Sequence, residues 1–258
     1  MGRVIGVDVG GTGIKGALVD TEHGDLVTAR IRVPTPHPGT PAQVAQTVCD
    51  VVGQIDATGA VGVTLPAVVR AGIVETASNI DGSWIGTDAT ALLEAALGRP
   101  VVVVNDADAA GLAEIRWGAG RGIGGTVVVI TLGTGIGSGL FIDGCLVPNT
   151  ELGHLHLHHG DAEDWAAESI REHDDLSWGK WAARVDAYLH KLEALMWPTL
   201  IIIGGGISKK ADKFLPRLTV RTPVVAAQLH NEAGIAGAAL LADSLEHPPQ
   251  PTANRPQE

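Results

Sequence analysis

The sequence predicts a two-lobed α/β protein with a central cleft, because one unit of strand, glycine turn and strand occurs twice in it. Residues 7–20 and 130–143 align without a gap, and each copy ends in an aspartate, Asp20 and Asp143. The apolar positions of the two copies match as well. This match favours an internal duplication over chance identities in a chain with 34 glycines. Two related lobes leave a cleft between them, where ligands commonly bind.

Short apolar runs between turn residues predict strands, and apolar residues at every third or fourth position predict helices. In the first part of the chain, strands are predicted over 3–9, 14–19, 26–33, 61–65 and 101–104, and helices over 42–55 and 92–97. Another helix is expected to begin just after Asn105, with Asp106 or Asp108 near its N-terminus.

The second part of the chain repeats the unit and then leads into a basic stretch. Strands are predicted over 126–132, 140–142 and 200–203, and the last of them ends in three glycines. We expect a small lobe over residues 1–104 and a larger lobe over residues 105–242. Residues 243–258 are rich in proline and polar residues, a composition typical of a disordered tail.

The charge of the chain is unevenly distributed. The formal net charge of −11 argues against a general nucleic-acid binder, so no nucleic-acid partner is expected. Between Lys180 and Arg221, however, eight basic residues stand against three acidic ones. This stretch is either a track for an anion or a solvated helical face, and composition alone favours neither.

The remaining composition indicates a cytoplasmic protein. Cys49 and Cys145 lie far apart, which suggests neither a disulfide framework nor a cysteine-rich metal site. The N-terminal residues lack a signal-peptide pattern. No apolar run reaches the length of a membrane-spanning helix, so no membrane partner is expected.

Three glycine turns follow predicted strands, at residues 10–13, 133–139 and 204–206. Amides in such turns can converge on an anion, so three of them favour a ligand with several phosphates over simple hairpin turns. Asp8 precedes the first turn and can hold a metal-bound water there or, alternatively, bond the turn amides. A dinucleotide site needs a helix after the glycines, and here a strand is predicted instead.

Five short motifs follow one another along the chain. DVGGTGIKGA spans residues 8–17, and NDADAAG spans 105–111. LGTGIGSG spans 132–139, ELGH spans 151–154 and IGGGISKK spans 203–210. With these motifs, in this order, the chain resembles the repressor–ORF–kinase (ROK) sugar kinases, and within them the branch of polyphosphate glucokinases.

The resemblance implies an actin-like, ribonuclease-H-like fold and a set of functional residues. It makes Asp106 the catalytic base, although this residue could instead cap the helix that follows. The side chains implied to contact sugar hydroxyls are Asn79, Asn105, Glu151, His154 and Glu163. The residues expected to bind phosphates are Asp8, Gly10, Gly11, Thr12, Gly13, Lys15, Gly133, Thr134, Gly135, Gly137, Gly205, Gly206, Lys209 and Lys210.

Metal ions are expected at one place only. Mg²⁺ is expected near Asp8, because it keeps several waters and uses few carboxylates. Many members of the family carry a cysteine-rich zinc segment after ELGH, whereas residues 155–162 contain no cysteine, so no structural zinc is expected. The histidines between His154 and His159 could bind a metal, but alternating histidines are more typical of an exposed strand face.

The predicted function is transfer of a phosphoryl group from polyphosphate to the 6-hydroxyl of glucose. Lys209 and Lys210 follow the third glycine turn, where nucleotide-using members of the family place adenosine, and they favour a polyanionic donor. The alternative is an ATP-dependent glucokinase or glucomannokinase. A repressor is not expected, because the first strand is predicted at residue 3 without a preceding helix-turn-helix. The resemblance also implies a homodimer.

Overall fold

Strands and helices alternate along the chain in the computed structural model, which describes residues 2–78, 80–157 and 160–247. The strands are β1 (Arg3–Gly10), β2 (Gly13–Asp20), β3 (Ile31–Val33), β4 (Val61–Leu65), β5 (Val69–Arg70), β6 (Ile73–Val74), β7 (Val101–Asn105), β8 (Thr126–Leu132), β9 (Ile136–Ile142), β10 (Cys145–Val147), β11 (His156–Leu157), β12 (Gly160–Asp161), β13 (Leu200–Gly204) and β14 (Val224–Ala226). The helices are α1 (Pro41–Val52), α2 (Ala89–Leu97), α3 (Asp106–Arg116), α4 (Glu163–Ala166), α5 (Glu168–His173), α6 (Trp178–Met196) and α7 (Ala233–Glu246).

The two main sheets have the same strand order and the same pattern of directions. The first sheet runs β3-β2-β1-β4-β7, and the second runs β10-β9-β8-β13-β14. In each sheet the first three strands are antiparallel, and the remaining pairs are parallel. The duplication expected from the sequence is therefore present in the topology, with β1–β2 corresponding to β8–β9.

Helices cover both faces of each sheet. Helices α1 and α2 pack on one face of the first sheet, and α7 packs on the other. Helix α6 covers one face of the second sheet, and α3 covers the other. Buried Val, Ile, Leu and Ala side chains form most of these layers. The two inner helices, α3 and α7, contact each other at the boundary between the lobes.

The inner helices approach closely because small residues lie at their contacts. A Cβ on Gly237 of α7 would lie 1.8 Å from the carbonyl oxygen of Ala109 on α3. A Cβ on Gly62 of β4 would lie 1.9 Å from the carbonyl oxygen of Ala238. Backbone therefore packs on backbone, which gives a dense interior to a chain with only 3% aromatic residues.

The C-terminal helix α7 differs from two predictions made from the sequence. Helix α7 reaches Glu246, so the predicted tail is wrong for residues 243–246, and residues 248–258 lie outside the described residues. Helix α7 also packs on β1 and β4, so the chain returns to the first lobe instead of staying in the predicted lobe of residues 105–242. The cause is its apolar face of alanine, isoleucine and glycine, which is buried there.

The predicted third strand is also too long. Strand β3 covers only Ile31–Val33, whereas the pattern predicted residues 26–33. Leu26 forms a single bridge to Val19 before the chain leaves the edge of the sheet. None of the helices in the described ranges is both long and apolar enough to cross a bilayer.

Candidate active site

A cleft of about 370 Å³ opens between the lobes, where the glycine turns lie. Residues from both sheets line it, so the duplication creates the site. The predicted site residues that line the cleft are Asp8, Gly10, Gly11, Lys15, Asn105, Asp106, Gly133, Thr134, Gly135, Gly137, Glu151, His154, Glu163 and Gly205. The fold therefore gathers the predicted base, most of the sugar-contacting residues and parts of all three glycine turns.

Some predicted residues are not part of this lining. The predicted phosphate-binding residues outside it, among the described residues, are Thr12, Gly13, Gly206, Lys209 and Lys210. The carbonyl of Thr12 accepts a hydrogen bond from Arg32 at 3.0 Å. Lys209 and Lys210 are exposed on a 3₁₀ segment, Gly206–Lys213, that begins at the third turn. Asn79 lies outside the described residues.

Asp106 lies at the junction of β7 and α3, and its neighbour caps the helix. The side-chain oxygen of Asn105 accepts hydrogen bonds from the amides of Ala107 at 2.9 Å and Asp108 at 3.0 Å. The side-chain nitrogen of Asn105 donates to the carbonyl of Ala67 at 3.1 Å. Asn105 therefore has the position of the helix cap. Asp106 is the first residue of α3, and its Oδ1 accepts a hydrogen bond from the amide of Ala107 at 2.8 Å.

The pKa of Asp106 is strongly raised. Burial is the largest cause, and together with the negative charges of Asp8 and Glu151 it raises the pKa of this carboxyl to about 7. The hydrogen bond from Ala107 opposes it. A carboxyl group with a pKa near 7 is partly ionised at neutral pH and can accept a proton there, which is what a general base requires.

Asp8 is held by two side chains at the end of β1. Its Oδ2 lies 3.1 Å from Nζ of Lys15, which is directly opposite on β2. Its Oδ1 accepts a hydrogen bond from the hydroxyl of Thr64 at 3.0 Å. The same hydroxyl accepts from the amide of Val9 at 3.2 Å. The alternative in which Asp8 bonds the amides of the glycine turn is therefore not what the structure has.

The groups around Asp8 fit a magnesium ion that arrives with phosphate. One carboxylate lies beside the cleft, and Mg²⁺ typically combines one or two carboxylates with waters and phosphate oxygens. Among the described residues, no group of three or more His, Cys, Asp or Glu side chains is arranged to hold a metal by itself. The absence of structural zinc stays a prediction, and His158 and His159 lie outside the described residues.

Acidic side chains surround the imidazole of His154. Its Nδ1 lies 3.1 Å from Asp161 and 3.7 Å from Glu163, and its Nε2 lies 3.7 Å from Glu151. Burial opposes ionisation, but the hydrogen bond to Asp161 and the carboxylate charges raise the pKa of His154. Burial also raises the pKa of Glu151, against the effect of the imidazole. The cluster offers several hydrogen-bonding atoms at one end of the cleft.

The sequence patterns missed residues that approach the cleft from the start of α7. His230 and Asn231 line the cleft, and Nδ1 of His230 lies 3.2 Å from the hydroxyl of Ser208. Gly205 of the third turn has φ +82°, and a Cβ there would lie 2.6 Å from the carbonyl of Leu132. The third turn is therefore pressed against the end of β8. No short motif marks His230 or Asn231, because they reach the site only through the return of α7.

A second missed feature ties the two lobes together beside the cleft. The side chain of Asn149 accepts from the amide of Val69 at 3.0 Å and donates to its carbonyl at 2.9 Å. The amide of Asn149 donates to Asp108 at 2.8 Å. Burial raises the pKa of Asp108 to about 6, although this hydrogen bond opposes the increase. The loop that carries Glu151 is thus fastened to the first lobe.

Comparison with known proteins assigns the chain to a family. The model of the ROK family matches residues 4–168. The chain belongs to the ROK family. The polyphosphate glucokinase of Mycobacterium tuberculosis (strain CDC 1551 / Oshkosh) is 52% identical to it over 91% of this chain and 89% of its own length. The glucokinase of Streptomyces coelicolor is 31% identical over 94% of this chain and 98% of its own. The resemblance read from the motifs is confirmed.

Solved structures of the family share the fold. The inorganic polyphosphate/ATP-glucomannokinase from Arthrobacter sp. strain KM has a TM-score of 0.92 and 53% identity, over 96% of this chain and 100% of its own. A ROK family glucokinase from Streptomyces griseus, solved in complex with glucose and AMPPNP, has a TM-score of 0.81 and 28% identity, over 94% and 100%. The predicted two-lobed, actin-like α/β fold is confirmed.

Proposed function

We propose that this protein is a polyphosphate-dependent glucokinase that forms glucose 6-phosphate. The observation that carries the proposal is the position of Asp106, which lies in one cleft with the His154 cluster and the glycine turns. Its raised pKa suits a base near neutral pH. The 52% identity to a polyphosphate glucokinase, over most of both chains, supports the donor and the acceptor.

In the proposed reaction, Asp106 accepts the proton of the 6-hydroxyl while the hydroxyl oxygen attacks the terminal phosphorus. The bond from that phosphorus to its bridging oxygen breaks, and polyphosphate leaves one phosphate shorter. A sugar hydroxyl is too weak an acid to ionise beforehand, so proton transfer accompanies the attack. Such transfers depend mainly on positioning and charge neutralisation, which the surrounding residues supply.

Glu151, His154 and Glu163 are proposed to orient the sugar. Each can bond a pair of hydroxyls, and a sugar that leaves these groups unpaired is bound less well. Glu163 also accepts a hydrogen bond from the amide of Ile136 at 3.2 Å, which supports a direct link between sugar and phosphate sites. The contacts proposed for Asn79 and Asn105 stay predictions.

The glycine turns are proposed to hold the terminal phosphates. Amides near Gly11 and Gly135 can donate to phosphate oxygens, and Lys15 adds a positive charge beside Asp8. Mg²⁺ bound near Asp8 would neutralise charge on the transferring group and its neighbour. Lys209 and Lys210 lie on the segment that follows the third turn. They are proposed to bind the part of the donor that extends out of the cleft.

The alternative is an ATP-dependent glucokinase or glucomannokinase. The names of the Arthrobacter enzyme and of the Streptomyces griseus complex support it, because one names ATP and mannose and the other an ATP analogue. The first turn, the second turn and Asp106 would have the same roles with either donor. The cytoplasmic location and the homodimer also stay predictions.

The donor assay tests the proposal. Purified protein with Mg²⁺ is supplied with glucose and either long-chain polyphosphate or ATP at equal phosphate, and glucose 6-phosphate is measured. We expect product with polyphosphate at a higher kcat/KM than with ATP. Product mainly with ATP would replace the proposal with the alternative. No product with either donor would exclude glucose as the acceptor, and mannose would be tested next.

A further inference from the structure

Three cations surround one tryptophan ring outside the cleft. The guanidinium carbon of Arg171 lies 4.4 Å from the centroid of the Trp178 ring. The Nζ atoms of Lys213 and Lys210 lie 5.4 Å and 5.9 Å from it. Each cation is attracted to the ring at such distances. The cations repel one another, however, so the arrangement favours an anion that binds all three.

Trp178 is a fixed platform because the core holds it. Its ring packs edge-on against Trp181, with centroids 5.9 Å apart, and Trp181 packs against Phe214 at 4.9 Å. Trp181 and Phe214 are fully buried. The indole nitrogen of Trp181 also donates to the carbonyl of Ala166 at 3.0 Å. The cations are thus arranged on a surface that cannot easily move away from them.

The three cations lie on two segments, each connected to a glycine turn that lines the cleft. Helix α5, which carries Arg171, is fastened to the second glycine turn. The amide of Ser169 donates to the carbonyl of Gly133 at 3.0 Å, and its hydroxyl donates to the carbonyl of Thr134 at 2.6 Å. The lysines lie on the 3₁₀ segment that starts at the third turn. A linear ligand that leaves the cleft between these turns meets the platform.

The charge at the platform is only partly neutralised. Arg171 pairs with Glu172 at 3.0 Å, but its Nε is buried and has no hydrogen-bond partner in the described ranges. In the same ranges, Lys210 and Lys213 form no ion pair within 4.0 Å. Glu168 lies close enough for Lys210 to lower its pKa, although burial raises that pKa overall. Unpaired positive charge therefore remains at the surface.

A second arginine–tryptophan pair provides a contrast within the same basic stretch. The guanidinium of Arg221 lies 4.4 Å from the ring of Trp197, the same distance as for Arg171 and Trp178. Arg221 pairs with Glu193 at 3.2 Å, much as Arg171 pairs with Glu172, but among the described residues no lysine lies over the Trp197 ring. The Trp197 pair therefore lacks the two unpaired lysines of the platform and serves as an internal control.

We infer that Arg171, Lys210 and Lys213, arranged on Trp178, form a subsite for the outer phosphates of a polyphosphate donor. The inference rests on the proposed function and extends it beyond the phosphates held by the glycine turns. Internal phosphates of the chain stay anionic at neutral pH and can bond each cation in turn. ATP carries an uncharged nucleoside where polyphosphate carries further phosphates. The subsite therefore favours long chains over short chains and over ATP.

The double variant Lys210→Ala/Lys213→Ala is the first test, because both side chains are exposed and their loss should not disturb folding. We expect KM for long-chain polyphosphate to rise ~5–10-fold, while KM for ATP changes less than ~2-fold. Lys191→Ala, at an exposed position of the same basic stretch, is the matched control and should leave both KM values unchanged. Added salt should narrow the difference between variant and wild type.

Two further variants test the platform itself. Trp178→Leu should reduce the preference for long over short polyphosphate, and Trp197→Leu should not. Glu172→Gln should act in the opposite direction and lower KM for long chains, since it frees Arg171 from its partner. A purely structural role for these residues would not produce opposite signs.

The inference is overturned if the double lysine variant behaves like Lys191→Ala with long chains, or if KM for ATP rises as much as KM for polyphosphate. It is also overturned if Trp178→Leu folds and keeps the wild-type dependence on chain length. If the wild-type protein forms no glucose 6-phosphate from polyphosphate at all, the proposed function fails, and the subsite fails with it. The two kinds of failure are therefore distinguishable.

Discussion

The two glycine hairpins come from one repeated unit, yet they bring different chemistry to the cleft. In the first hairpin, β1–β2, Asp8 and Lys15 form an ion pair at 3.1 Å. The aligned residues of the second hairpin, β8–β9, are Thr131 and Ser138, which carry no charge. The duplication therefore repeated the backbone, while only one copy carries the charged pair.

The hairpins also differ by one residue in their turns. The first ladder closes around residues 11–12, and the second closes around residues 133–135. As a result, Thr131 pairs with Gly137 and not with Ser138, which the gapless alignment would suggest. A shift of one residue moves a side chain to the other face of a sheet. Ser138 accordingly bonds the loop that leads to Glu151 and His154.

The second hairpin is instead the one to which other parts of the site are fastened. Its turn holds Glu163 through the amide of Ile136, and it holds α5 through Ser169. The two hairpins therefore differ in what they contribute. The first carries the charged pair, and the second forms hydrogen bonds to other parts of the site. Substitutions at Asp106 and in the two hairpins test this difference.

Asp106 lies between the hairpins, and its substitution is expected to lower kcat more than any substitution in either hairpin. Asp106→Asn keeps the shape of the side chain but removes the proton acceptor, so kcat should fall by at least ~10²-fold. Glucose 6-phosphate formation at saturating substrates measures this loss. Near-normal turnover would exclude Asp106 as the base.

The same variant should gain stability above neutral pH, which is the control for folding. The folded-state pKa of Asp106 is raised from 3.8 to about 7, so the favourable contribution of this group is present below about pH 4 and lost as the pH rises through 7. Asp106→Asn has no ionisable group at this position, so it does not lose stability as the pH rises through 7. Its Tm at pH 8 should therefore equal or exceed that of the wild type, and a decrease would mean that the activity loss reflects damage to the fold.

Charge at the first hairpin should matter more than the hydroxyl at the second. Asp8→Asn should lower kcat by ~10–100-fold and raise the Mg²⁺ concentration needed for half-maximal rate, because the carboxylate beside the proposed phosphate site is lost. Thr131→Val removes the aligned polar group and should cost less than ~5-fold. Steady-state rates across a Mg²⁺ titration compare the two. Equal losses would mean that the hairpins contribute alike.

Packing should distinguish a strand position of the second hairpin, Gly137, from a turn position of the first, Gly11. A Cβ on Gly137 would lie 2.5 Å from the hydroxyl oxygen of Thr131 and 2.9 Å from Cβ of Ala107. Gly137→Ala should therefore cost about 1–3 kcal/mol, seen as a decrease of several degrees in Tm. Gly11 has no atom within 4 Å of such a Cβ, so Gly11→Ala should leave Tm nearly unchanged. A Tm loss for Gly11→Ala as large as that for Gly137→Ala would contradict this contrast.

The smallest expected effect is a shift in the pH profile. The charge of Asp8 helps to raise the pKa of Asp106, so Asp8→Asn should move the acidic limb of kcat/KM from near pH 7 to lower pH. The shift is partial, because burial is the larger cause. Thr131→Val should leave the limb in place. If the acidic limb stays at the same pH in Asp8→Asn, the charge of Asp8 does not influence the pKa of Asp106.

Strands that are apolar along their length were predicted best. Strands β4 and β8 begin and end at the predicted residues, 61–65 and 126–132, because almost every position is buried from both sides. Strand β3 was predicted too long, since at an edge a sequence pattern does not show where pairing stops. Helix α7 was missed, because alanine and glycine spaced for backbone contact do not form an obvious apolar stripe.

Site residues that belong to sequence motifs were predicted. Residues that reach the site only through the tertiary fold were missed. Asp106, Glu151 and His154 were named from the sequence and do line one cleft. His230 arrives with α7, and Arg171 is brought to Trp178 by the docking of α5. Neither of these neighbours a glycine turn in the sequence.

The duplicated unit, the buried strands and the family could be predicted from the sequence, because they depend on local patterns of apolar residues, glycine and short motifs. Which charges meet depends on the folded chain: Asp8 meets Lys15, His154 meets three carboxylates, and three cations meet Trp178. The pKa of Asp106 also belongs to this second group. Electrostatic energies depend on distance and burial, and a linear sequence specifies neither.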